Sequence, residues 1–158
     1  MSEPAVRPER TAWRDQQFSE RHRLWGWDCP AEDVDFLMIE YDTAEPRAIM
    51  EYKHESARGQ TSRHPSYEAI SRLADRGRIP FFAVRYADDL SWWIVTGLNG
   101  QARGLLGVTA ERFFSEIEYV RFLYERIRGR PLPREVGETI LGQPFVRRQM
   151  RDLRGRNP

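Results

Sequence analysis

Of the 25 basic residues in this 158-residue chain, 24 are Arg and only Lys53 is Lys. Arginine keeps its proton up to a pKa above about 12, whereas a desolvated lysine can release one, so a position that moves a proton or needs a compact ammonium does not accept Arg. Coding bias accounts for the solvated positions, where either cation serves. Lys53 did not switch. Glu51 stands two residues before it, and Asp35 precedes both by the length of one hairpin. The runs 34–41 and 47–53 are rich in strand-forming residues, and Asp-Thr-Ala-Glu-Pro at 42–46 supplies turn chemistry between them. With the turn centred near Thr43, Asp35 lies opposite Glu51. Side-chain alternation then puts Glu51 and Lys53 on one face and Met50 and Tyr52 on the other.

Two carboxylates a few ångströms apart repel each other unless a cation sits between them. Oxygen-only ligands favour Mg²⁺ or Mn²⁺, and Mg²⁺ binds through one or two carboxylates while keeping water and substrate phosphate as its other ligands. A lysine beside such a pair can orient or deprotonate an attacking water, or neutralise developing negative charge. The residues alone leave those roles open. An acid-X-Lys triplet by itself is usually a surface ion pair. Here it ends the apolar run Ala48-Ile49-Met50, a second acid stands one hairpin upstream, and its lysine is unique. Together these point to a metal-dependent hydrolytic centre with Lys53 as its base. A register slipped by two residues would put Asp33 in place of Asp35.

The elements that must position these residues follow from hydrophobic period and punctuation. A weakly amphipathic helix is expected over 11–23, then a short aromatic strand over 24–27, then the two hairpin strands. Pro65 and Ser66 open a helix carrying Tyr67, Ile70, Leu73 and Ala74, which Gly77 stops. Strands over 79–86 and 90–96 form a second hairpin across 87–89. Thr109 caps a long helix over 109–128 with Phe113, Ile117, Val120, Tyr124 and Ile127 on one face, ending at Gly129. The fold expected is α/β, a mixed central β-sheet flanked by helices in αβββαββα order. Trp92 and Trp93 face opposite sides of their strand, and both are expected in the core. Phe114 and Phe122 lie off the long helix's main stripe, which suggests a homodimer through that helix.

Asp35, then Glu51-Tyr52-Lys53 at the end of the next strand, then a helix and another apolar strand: this arrangement resembles the PD-(D/E)XK nuclease superfamily of restriction endonucleases, Holliday-junction resolvases and RecB-type exonucleases, over about residues 11–96. The resemblance implies a restriction-endonuclease-like core. It also implies Mg²⁺ held by Asp35, Glu51 and the backbone carbonyl of Tyr52, with Lys53 serving phosphodiester hydrolysis. A glutamate on the first helix often completes the family's metal site; Glu20 is the best match, with Glu9 behind it. Val34 stands where many members carry Pro, a variable feature.

The loop with Arg58, Gly59, Gln60 and Arg63 is suited to gripping a DNA backbone, and Gln60 is similar to a glutamine that some members use near the scissile phosphate. His54 follows Lys53 directly and either approaches the metal or a phosphate or makes a plain polar contact. Small members of this family without a target-recognition domain tend to read DNA structure, so a junction- or repair-type endonuclease is the expected activity. The alternatives are a non-catalytic binding module of the same fold in a phage or defence assembly, and a hydrolase of small phosphates.

Bulk composition narrows the rest. The net charge of +1 does not fit a protein that coats nucleic acid, but residues 129–158 hold seven Arg against three acids. The expected organisation is a tail over 1–10, one domain over 11–129 and a basic C-terminal tail over 130–158. The single cysteine, Cys29, allows no internal disulfide, and no pair among the three His has zinc-helix spacing. No apolar stretch approaches 18 residues and the N-terminus lacks the apolar region of a signal peptide, so the expectation is a cytoplasmic protein without a membrane partner.

Overall fold

A computed structural model of the chain describes Leu24, residues 34–57 and residues 64–142. The chain divides into two compact units, Met1–Asp33 and Val34–Pro158, and every element below belongs to the second. The helix expected over 11–23 lies outside the described residues; Leu24, read as the start of a strand, is helical.

Five strands form one mixed sheet in the order β1 (Phe36–Glu40), β2 (Glu45–His54), β3 (Phe81–Tyr86), β4 (Trp93–Gly97) and β5 (Glu111–Phe114). All neighbours are antiparallel except β2 and β3, which run parallel. A parallel pair needs a crossover, and α1 (Pro65–Gly77) supplies it. His64 caps α1 by accepting the Ser66 N–H, and Pro65 occupies the first turn, where its missing donor costs nothing. The helix ends at Gly77 as its spacing predicts, though Arg78 is the residue that takes the left-handed conformation, with φ of 54°.

Both faces of β2 and β3 are covered, which explains their unbroken apolar runs. On one face Ile49 and Phe81 pack under Tyr67, Ile70 and Ala74 of α1. On the other, Met50, Phe82, Val84 and Val95 pack under α2 (Gly100–Leu106) and α3 (Glu116–Phe122). Phe82, fully buried, meets the Phe122 ring edge-on at 5.6 Å.

The segment read as one helix over 109–128 is three elements. Phe113 and Phe114 belong to β5, where a period of two replaces the expected period of 3.6. Ser115, not Thr109, begins the helix: Glu118 accepts from the Ser115 N–H at 2.8 Å and from its hydroxyl at 2.7 Å. A π-helical turn, Leu123–Ile127, then adds a residue to the last turn. Phe114 and Phe122 are buried within the chain's own core, so the surplus apolar surface behind the homodimer expectation is used internally. Two further helices had no reading in the sequence. Asn99 caps α2, accepting from Ala102 N–H and Phe81 N–H at 3.0 Å each. The last, α4 (Arg134–Leu141), falls inside the stretch expected to be tail and packs against α3.

At the hairpin end of the sheet Glu40 is buried and accepts from Arg128 at 3.1 Å, with Arg130 at 3.4 Å. The Arg128 hydrogen bond holds its carboxyl below the usual value against the cost of burial, and the charges of Arg128, Arg130 and Arg47 add to the effect. A lowered folded-state value contributes stability above the ordinary carboxylate range, and that contribution disappears as pH falls through the folded value. Glu40→Gln should therefore melt below the wild type at pH 7 in a circular-dichroism scan, with the gap closing in acid. An equal gap at both pH values would contradict this linkage.

Candidate active site

The last β1–β2 pair is Phe36 with Met50. One step further sets Asp35 beside Glu51, the register read from the sequence, although a bulge between Met38 and Ile39 interrupts the ladder nearer the turn. The Tyr52 N–H donates to Asp35 Oδ2 at 3.1 Å, so backbone orients the carboxylate. Ile49 N–H bonds to Pro80 on the β3 side, so odd-numbered residues of β2 pair toward β3 and even-numbered ones toward β1. The N–H and C=O of one strand residue project the same way, which turns the Tyr52 carbonyl to the Asp35 side as well.

Glu51 is buried at 8% exposure, and its Oε1 is paired tightly with Lys53 Nζ. Burial is the strongest single influence on Lys53 and pulls its pKa down. The hydrogen bond and charge of Glu51, with Tyr67 and Asp35 behind them, together outweigh it, so the ammonium is held above its usual value. Lys53 is thus a cation in this arrangement, whereas the role of base calls for the opposite shift. That partner is the physical reason for the difference.

Two residues at the site were missed in the sequence. Tyr67, read only as core of α1, is buried among the charges of Lys53, Glu51, Asp35 and Arg85; burial raises its hydroxyl pKa, Glu51 and Asp35 raise it further, and the two cations oppose them. A tyrosine rather than Phe or Leu on that helix face was the available signal. Arg85 pairs with Lys53 across the parallel ladder and shares its face. It is exposed, and among the described residues it has no ion-pair partner. Finding it required knowing that β2 and β3 are parallel and in which register.

His54 does not join this group. Alternation sends it to the other face, where Nε2 meets Asp88 Oδ1 at 3.0 Å, Nδ1 meets Ser56 Oγ at 2.6 Å, and the ring lies edge-on to Tyr86. Both ring nitrogens thus have polar partners away from the carboxylate face. Glu20, Arg58, Gln60 and Arg63 lie outside the described residues. Trp93 packs into the core, stacked on Tyr119 at 4.7 Å. Trp92 is on the opposite face beside Phe113 at 6.5 Å, so the expectation that both indoles pack in the core holds for Trp93 alone.

No group of three or more His, Cys, Asp or Glu able to hold a metal occurs among the described residues. The donors present are two carboxylates and one carbonyl, all oxygen. Such a sparse set fits Mg²⁺ or Mn²⁺, which fill most positions with water and phosphate, and does not suit zinc. No helix of the described residues is long and apolar enough to cross a membrane. No family model, no curated protein and no solved structure matches the chain.

Proposed function

We propose that this chain is a Mg²⁺- or Mn²⁺-dependent nuclease with a restriction-endonuclease-like core, acting on DNA as a structure-selective endonuclease of the junction or repair type. One observation carries the reading: Asp35 and Glu51 are opposed across a hairpin, and the only lysine shares their face beside them. Asp35, Glu51 and the Tyr52 carbonyl are the residues that would hold the ion. When bound, such an ion supplies Lewis acidity at a phosphoryl oxygen and a lowered water pKa.

The chain's own groups do the rest. The Tyr52 N–H holds one carboxylate oxygen of Asp35 against the β2 backbone. Arg85, exposed beside Lys53, offers a fork of donors to a phosphate. Burial gives Lys53 an intrinsic pull toward neutrality that Glu51 masks. A Glu51 carboxylate engaged elsewhere would uncover it, leaving Lys53 to orient or deprotonate water. Tyr67 Oη, set among these charges, is a further donor to the nucleophile or phosphate.

A second reading, a catalytically inert module of the same fold, draws support from the closed Lys53–Glu51 pair and from the raised pKa of Lys53. Metal-dependent cleavage of a panel of forked, four-way and linear DNA, with RNA counterparts, separates the two: no cleavage with either ion favours the module. A thermal-shift series locates the metal. Mg²⁺ or Mn²⁺ at about 100 times its Kd should stabilise the wild type by about 2.7 kcal/mol, because it binds only the folded state. Asp35→Asn and Glu51→Gln should lose that response; retention by both would put the metal somewhere else.

A further inference from the structure

The face that bears the carboxylates continues across the sheet as an ordered row. Lys53 on β2 pairs with Arg85 on β3, Arg85 with Ile94 on β4, and Ile94 with Phe113 on β5. Paired residues share a face, so two cations lead through an aliphatic residue to an aromatic ring. Trp92 lies beside that ring at 6.5 Å, its plane tilted 29° from it. Three strand spacings, about 14 Å, separate the β2 and β5 ends of the row.

Phe113 is 64% exposed and Trp92 is half-buried, while the core aromatics Trp93, Phe114 and Tyr119 all lie on the opposite face. The two rings lie on the face that α1 covers only over Ile49 and Phe81, and Phe113 is left open to solvent, available for contact. The neighbouring row, Glu51–Ala83–Thr96–Glu111, is acidic at both ends, with Thr96 Oγ1 donating to Glu111 Oε2 at 3.1 Å. Phosphates are thereby directed to the Lys53–Arg85 row.

Resting on the nuclease reading above, we infer that Trp92 and Phe113 form a stacking platform for unpaired bases, so that the strand reaching Lys53 and Arg85 is single-stranded nucleic acid. Cations that follow a backbone and aromatic rings that take the bases are the two components of single-strand binding. A paired base has its faces covered by its neighbours in the stack and cannot use such a platform.

The test is fluorescence anisotropy in EDTA with labelled oligo(dT), oligo(U) and a blunt duplex. The wild type should bind a single strand more tightly than the duplex; preference for dT, for U or for neither names the strand and supports the platform in each case. Trp92→Leu and Phe113→Leu should each weaken single-strand binding about tenfold, the scale of one lost base–aromatic stack. Trp92→Phe, which keeps an aromatic face, should stay within a few-fold of the wild type. Circular dichroism confirms that the leucine variants fold. Leucine variants that bind single strands as the wild type does, or a wild type that prefers the duplex, overturn the platform. The two readings fail separately: cleavage abolished by Glu51→Gln keeps the nuclease even without a platform, and Trp92-dependent binding without cleavage under any metal keeps the platform without the nuclease.

Discussion

Lys53→Arg is expected to fold, bind metal and bind DNA, yet to cleave at least about a hundredfold more slowly than the wild type, the usual scale for one acid-base group. Arg retains the charge and can still pair with the buried Glu51, so the structural part of Lys53's role is preserved. What it cannot reproduce is a nitrogen able to release a proton, or a compact ammonium with rotatable donors. Because Lys53 is held as a cation by Glu51, the substitution separates two roles directly. Cleavage within a few-fold of the wild type would mean that Lys53 acts through charge alone. Lys53→Ala should be equally inactive and also less stable, since it removes the cation paired with a buried carboxylate. Single-turnover rates, read beside the thermal midpoint of each variant, separate these losses.

Phe82→Ala should destabilise the fold by about 3–5 kcal/mol. Phe82 is fully buried at the centre of the sheet and rests edge-on against Phe122. Its removal opens a cavity between two rigid layers, a strand and a helix, that cannot close over it. Against a total of about 5–15 kcal/mol for a domain, the midpoint should fall on the order of 10 °C. Phe113→Ala is the matched control: the same ring is lost from the solvent side, and the change should stay within about 0.5 kcal/mol. Urea unfolding of both variants measures the contrast. Similar losses would mean that the β5 register is wrong.

The parts of this fold that were legible are those whose period and punctuation agree. The first hairpin was legible because its turn residues and the alternation on either side favour the register that pairs Phe36 with Met50, while the bulge between Met38 and Ile39 and the start of β2 at Glu45, inside the segment read as turn, were not. The helix Pro65–Gly77 was equally plain, with Pro at its start and Gly at its end. Residues 109–128 misled because Phe113, Ile117, Val120 and Tyr124 repeat at helical spacing, while the chain uses Phe113 and Phe114 as a strand and restarts at Ser115. Ser115 and Glu118 have the capping-box spacing that marks the helix start the structure shows. At the site, Asp35, Glu51 and Lys53 are joined by contacts local in sequence, which is why they could be read. Tyr67 and Arg85 reach it through a crossover and a parallel register, which no local pattern encodes.

Separation along the chain also orders how the molecule assembles itself. The β1–β2 hairpin joins residues no further apart than Asp35 and Tyr52, 17 positions, and local hairpins form in about 1–10 µs. The β2–β3 pair must wait for the whole of α1 to be drawn across the sheet, and closing that loop costs entropy before any contact returns it. The carboxylate pair therefore comes together on the fast, local timescale, while Arg85 and everything beyond it arrive with the slow, global one. Mutations that weaken α1 or β3 would retard the second stage more than the first, so that Asp35 and Glu51 are paired before Arg85 is brought beside Lys53.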